Sequence, residues 1–198
     1  MILPLPPRQA YLVIDSKIVI TMPDTRTQIL DIAERAIRQR GYHAFSFRDI
    51  SDDLGIKSAS IHYHFRHKQD LGHAVVDRYA TRIAENLGPA GQLDWPASLQ
   101  AFCQVYQDAL ETSGVQCLCG MLAAESTGLP DNVSSRVAQF YENNIEWLMA
   151  AMPASIQDKR ATALRIQSQL QGAMTVSVSM GDRSILDGIS KQLISSLD

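Results

Sequence analysis

An all-α fold is predicted by three observations. From residue 24 onward apolar residues recur at helical spacing, and almost no stretch alternates with a period of two. Gly41, Gly55, Gly88 and Gly114 each close one of the periodic segments. With 45% hydrophobic residues in 198, the chain can bury either one large core or two small ones.

The first helix lies in DTRTQILDIAERAIRQRG, where Ile29, Ile32, Ala33, Ala36 and Ile37 form one apolar stripe that Gly41 ends. Ser46 opens a second helix, FRDISDDL, with Asp49 three residues on as the return partner of a capping box, and Gly55 stops it. After Ile56 and Lys57, Ser58 is predicted as the N-cap of a third helix, ASIHYHF, of about two turns. A fourth starts near Lys68, carries Leu71, Val75, Tyr79 and Ile83, and ends at Leu87 before Gly88 and Pro89.

Two short helices joined by a tight glycine turn form a helix-turn-helix, with Ile50, Leu54, Ile56, Ile61 and Phe65 as its core. Net charge is only −3, but the window 24–73 holds eight Lys/Arg against seven Asp/Glu and all five histidines. His62 and His64 point about 200° apart on a helix and cannot share a metal, while His64 and His67 have the spacing but straddle a helix end. The histidines are read as flanking nucleic acid phosphates, with no metal and no cofactor expected. No GxSxG, HExxH or phosphate-cradling glycine loop occurs, which argues against an enzyme.

The rest of the chain reads as a second helical unit. Asp94 caps a helix bearing Leu99, Phe102, Cys103, Tyr106 and Leu110; CLCGMLAAESTG makes another; Pro130 opens a long one that Pro153 closes. A helix from about Ser155 carries Ile166, Leu170, Met174 and Val178, and the last uses Ile185, Leu186, Ile189, Leu193, Ile194 and Leu197. No run of eighteen apolar residues spans a membrane. Residues 1–22 lack a basic start and carry three prolines, so 1–23 are expected to be a flexible extension, or one upstream of a natural start at Met22, rather than a signal peptide. Three cysteines without framework spacing suit a cytoplasmic chain.

The stretch GYHAFSFRDISDDLGIKSASIHYHFRHKQDL, within Thr25 to Val76, resembles the DNA-binding domain of the TetR/AcrR family of transcriptional repressors. That resemblance divides the chain into the extension at 1–23, a helix-turn-helix domain at 24–73 with its motif at about 45–64, and a ligand-binding and dimerisation domain at 74–198. It implies phosphate contacts from Ser46, Arg48 and Lys68, base-edge contacts from Ser58, Ala59 and Ser60, and groove-wall contacts from Lys57, His62 and Tyr63. His62 departs from the family, which places a phosphate-touching Tyr there. The resemblance further implies a homodimer through about 155–198, with Leu170 and Leu193 expected at its four-helix interface, on a palindromic double-stranded operator.

A shorter likeness, CLCGMLAAE, to one subgroup implies a pocket wall at Cys117, Met121 and Glu125, and Trp95, Phe102, Tyr106, Phe140, Tyr141 and Trp147 can line an apolar cavity. The same aromatic residues at helical spacing also make plain core, and Glu125 either orients a ligand or lies at the surface. The function expected is a cytoplasmic repressor released from its operator by a small molecule. Three alternatives stand beside it: a helical sensor acting through protein contacts without DNA, a redox regulator using Cys117, Cys119 and Cys103, and a small enzyme using Glu125 with a cysteine.

Overall fold

The computed structural model describes residues 11–14, 17–20 and 24–196. Among them are a two-stranded antiparallel hairpin and nine α-helices. The strands β1 (Tyr11–Ile14) and β2 (Lys17–Ile20) pair with Tyr11 opposite Ile20 and Ile14 opposite Lys17. They fall inside the stretch expected to be a flexible extension, whose other residues lie outside the described ones. YLVI and KIVI are continuous apolar runs without alternation, so a search for a period of two passes over them.

The head is built from α1 (Thr25–Arg40), α2 (Phe47–Leu54) and α3 (Ser58–His64). Asp24 caps α1 by accepting the Thr27 N–H at 2.8 Å. The capping box on α2 is complete: the Asp49 N–H reaches Ser46 Oγ at 3.3 Å and the Ser46 N–H reaches Asp49 Oδ2 at 2.7 Å. The Ser46 hydroxyl, donating to Asp49 Oδ2 at 2.8 Å, and the Ser46 N–H hold the Asp49 carboxyl below its ordinary range. Gly55, at φ +65°, makes the left-handed turn. Lys57, not Ser58, is the N-cap of α3; its backbone is already extended and its carbonyl accepts the Ser60 N–H at 2.8 Å. Ser58 thus enters the first turn, and its hydroxyl is left outside any cap. Ile50, Ile61 and Phe65 are buried against Ile29, Ala33 and Ile37 of α1, with Leu54 and Ile56 half-buried at the edge.

A single helix, α4 (Lys68–Leu87), runs from the head into the rest of the molecule. Leu71, Val75, Tyr79, Ile83 and Leu87 are buried at strict four-residue spacing. Glu34 of α1 is 8% exposed, and its two carboxylate oxygens accept from Arg78 at 3.1 Å and Arg82 at 2.6 Å. Arg78 also holds Asp31 at 2.7 Å. Arg38 donates from Nε to the Gln116 carbonyl at 2.9 Å and from Nη2 to those of Ala109 and Val115 at 3.4 Å. These bonds fix α1 to α4 and to the connection between the next two helices.

The second unit comprises α5 (Trp95–Ser113), α6 (Leu118–Ala124), α7 (Asp131–Ala151), α8 (Lys159–Met180) and α9 (Ser184–Ser195). Asp94 caps α5 at Ala97 N, 2.9 Å, as expected. α8 begins four residues later than the expected Ser155 because Asp158 caps it at Ala161 N, 2.9 Å. Leu170 and Leu193, expected at a dimer interface, are buried at 0% and 4% within the single chain, so a charge at either would break its core. Leu164, Val176 and Met180 are the large apolar residues that α8 leaves exposed. No helix among the described residues is long and apolar enough to cross a membrane.

Removing Glu34 leaves Arg82 without its carboxylate and Arg78, a quarter exposed, with Asp31 alone. Glu34→Ala is expected to lower unfolding stability by about 2–3 kcal/mol, below the cost of a fully buried pair because Arg82 is partly solvated. Urea unfolding measures this; a loss under about 0.5 kcal/mol would place the attachment of α1 elsewhere.

Candidate functional site

Two features of the fold hold functional side chains. The first is the outer surface of α2 and α3. Ser46, Arg48, Lys57, Ser58, Ala59, Ser60, His62 and Tyr63 are all exposed. Tyr63 is 87% exposed. Arg48 reaches Asp52 at 3.8 Å, but both are so exposed that the pair leaves the guanidinium available. His62 is oriented by an edge contact with Phe47, ring centroids 4.9 Å apart, and by Nδ1 lying 3.3 Å from the Arg66 carbonyl. Its other ring nitrogen is left for an outside partner. Lys68 differs from the other eight. It is half-buried, with its ammonium 4.7 Å from the Tyr42 ring centroid and 4.4 Å from that of Phe45. Burial pushes its pKa down while Asp49 and Glu125 pull it up. Its ammonium is thus seated on two rings at the start of α4.

The second feature is a small cavity lined from α4, α5, α7 and α8 and by Cys117. It encloses only about 10 Å³ and is lined by Tyr79, Ile83, Phe102, Val105, Tyr106, Ala109, Cys117, Phe140, Asn144 and Met174. That is room for little more than one water. Its polar groups are paired in two sets. The Tyr79 hydroxyl donates to Cys117 Sγ at 3.3 Å, Gln167 Nε2 reaches the Tyr106 oxygen at 2.5 Å, and Asn144 Nδ2 reaches Gln167 Oε1 at 3.3 Å. No Asp, Glu, Lys or Arg lines it. Tyr79, Ile83, Val105 and Ala109 also form the floor of a surface groove of about 360 Å³ bounded by Glu34, Arg38, Arg82 and Asp108. Cavity and solvent are therefore one layer of side chains apart.

Residues 29–75 match the family model described as bacterial regulatory proteins, tetR family. The crystal structure of a TetR transcriptional regulator from Legionella pneumophila is 31% identical to this chain, covering 88% of it and 98% of that protein, with a TM-score of 0.79. The chain belongs to the TetR family. A TetR-family regulator from Agrobacterium tumefaciens is 29% identical over 86% of this chain and 96% of its own, with a TM-score of 0.78. The HTH-type transcriptional repressor KstR2 of Rhodococcus jostii is 31% identical over 90 residues, 44% of each chain. The chain thus spans less than half the length of that curated relative.

In this TetR-family chain, Phe102, Tyr106, Cys117 and Phe140 meet at the cavity as expected, and the other expected lining residues do not. Tyr141 faces a groove between α7 and α8, its hydroxyl 3.4 Å from Gln171 Oε1. Met121 is one full turn along α6 from Cys117 and outside the lining. Glu125 points the other way, accepting the Tyr42 N–H of the head at 2.9 Å. The residues missed include Asn144 and Val105. Asn144 carried a readable signal, an amide between Phe140 and Leu148 in an otherwise apolar four-residue stripe. The three cysteines are free and buried. Burial raises the Cys103 pKa to about 11 and pushes that of Cys119 well up, which keeps both as unreactive thiols and disfavours a redox role for them.

Tyr106→Phe removes the oxygen that Gln167 meets and leaves a buried amide unpaired. A stability loss of about 1–2 kcal/mol is expected, readable as a lower thermal midpoint. A neutral result would mean that the chain from Tyr106 to Asn144 is held by Asn144 alone.

Proposed function

We propose that this TetR-family chain is a homodimeric transcriptional repressor that leaves its operator when an uncharged, largely apolar molecule enters the cavity. One observation carries the reading: an exposed row of Lys57, Ser58, Ala59, Ser60, His62 and Tyr63 at α3 and a small apolar cavity are joined through one continuous helix, α4. Small side chains at Ser58, Ala59 and Ser60 let the start of α3 approach base edges, and Arg48 and Lys57 meet phosphate. α3 has no arginine for bidentate guanine contacts, so groove shape and half-site spacing carry much of the specificity. The relative KstR2 is itself named a transcriptional repressor.

A neutral effector follows from the lining. A charged molecule would enter a space with no countercharge, and burying an unpaired ion costs several kcal/mol. Dimerisation is assigned to the outward face of α8 with α9, where Leu164, Gly172, Val176 and Met180 are exposed. A palindromic operator presents half-sites about 34–36 Å apart, so a small tilt of α4 misaligns two recognition helices at once. Weakening operator binding a hundredfold requires a differential affinity of only about 2.7 kcal/mol. The head at 24–73 and the effector and dimer domain at 74–198 divide this work, in the cytoplasm.

Gel shifts on an operator selected from random duplexes test the DNA reading. Affinity should fall steeply with salt, and Arg48→Ala should reduce the slope of log K against log salt by about one. Tyr63→Ala should weaken binding by about tenfold or more. Salt-independent binding, or binding indifferent to both changes, would leave a sensor acting through protein contacts. For assembly, Val176→Asp with Met180→Asp should yield a folded monomer in sedimentation with operator affinity lost; an unchanged dimer would move the interface off α8.

A further inference from the structure

The two ends of α6 lie in different parts of the molecule. Its N-cap, Cys117, lines the cavity, and its C-cap, Glu125, holds the head. Seven residues at 1.5 Å each make a strut roughly 10 Å long between them. At the head end the fit is tight. Gly41, at φ +87°, rests directly on the Glu125 carboxylate, where a Cβ would overlap Oε1 and Cδ. The Tyr42 N–H that Glu125 accepts opens the single 3-10 turn leading to Phe45, Ser46 and α2. The Tyr42 ring packs against Gly72 of α4, where a Cβ would come within 2.7 Å of Cε2, and beneath the Lys68 ammonium. Tyr42 is thus wedged between α4 and α6, gripped by its ring on one side and its backbone on the other.

An occupant of the cavity must displace part of its wall, because about 10 Å³ admits no organic molecule. The wall helices α4, α5, α7 and α8 run 19 to 22 residues, whereas α6 has seven, with Leu118, Cys119 and Leu122 buried and its N-cap Cys117 on the lining. We propose that Glu125 is a positioning residue, the joint through which displacement of α6 by an occupied cavity reaches the DNA-reading head. The inference rests on the cavity being the effector site. It adds to α4 a second line of transmission, which ends on the backbone just ahead of α2.

With the effector unidentified, Val105→Phe serves as the probe, since it places a ring into the cavity from α5; Ala109→Leu is the milder substitute if that variant does not fold. Hydrogen–deuterium exchange is read at the Tyr42 amide, and operator affinity in parallel. The filled cavity should speed Tyr42 exchange by about tenfold. Glu125→Ala should do the same alone, with no further rise when combined with the probe. Glu125→Gln, which keeps an acceptor oxygen, should exchange like the unmodified chain. The probe should weaken operator binding by about tenfold in the unmodified and Glu125→Gln chains, and by less than about threefold with Glu125→Ala. An unchanged Tyr42 amide in the filled chain, or an equal operator loss with and without Glu125, overturns the joint. If Tyr42 responds as described while operator affinity never changes, the joint stands and the cavity-driven repressor reading falls.

Discussion

Everything in this molecule depends on one helix being buried by two different partners. α4 buries Leu71, Val75, Val76, Tyr79, Ile83 and Leu87, Tyr79 and Ile83 of them on the cavity, and packs against α1 of the head and α7 of the second unit. Neither core closes without it. At its far end the Gly88 carbonyl accepts the Trp147 indole N–H at 2.8 Å, and at its near end Gly72 gives up a side chain so that Tyr42 and Val133 can approach. The Glu34 clamp ties α1 to α4 midway along. The head is therefore an extension of the second unit's packing, not a bead on a linker, and its orientation is set by side chains up to 20 residues further along α4.

The head was legible almost in full because its determinants are local. A serine three residues before an aspartate, a glycine after a leucine, and apolar residues four apart each act within one or two turns, and the capping box at Ser46 and the left-handed Gly55 form as those patterns require. The shift of the α3 N-cap from Ser58 to Lys57 is a single residue, within the ambiguity of any helix end. What failed was the assignment of partners. Leu170 and Leu193 are apolar whether they face their own chain or a second copy, and periodicity does not say which. Glu125 was recognisable as a carboxylate among small residues, but its partner, the Tyr42 N–H, is 83 positions away and a backbone group, with no side-chain signature to find.

The cavity shows the same division. Its aromatic lining was recognisable, while the amides of Asn144 and Gln167 that join Tyr106 across the core became meaningful only once three helices were placed. A buried amide pair costs desolvation unless each group is met, so these residues favour one register of α7 against α8 over its neighbours. The polar chain thus fixes the alignment of the helices, and the aromatic rings fill the space that alignment leaves.

The near absence of free volume in that cavity sets the dose at which the proposed regulator would respond. A preformed hollow would bind a fitting molecule at its intrinsic strength, whereas a collapsed one subtracts the work of repacking Phe102, Phe140 and Met174 from every encounter. Apparent affinity then scales with the small fraction of time the wall stands apart. Traces of many loosely fitting apolar compounds are ignored, and only one abundant or complementary enough to offset the lost packing is heard. Single methylene changes around Val105 and Ala109 would shift that threshold without touching the α3 surface, so sensitivity and DNA recognition can drift independently.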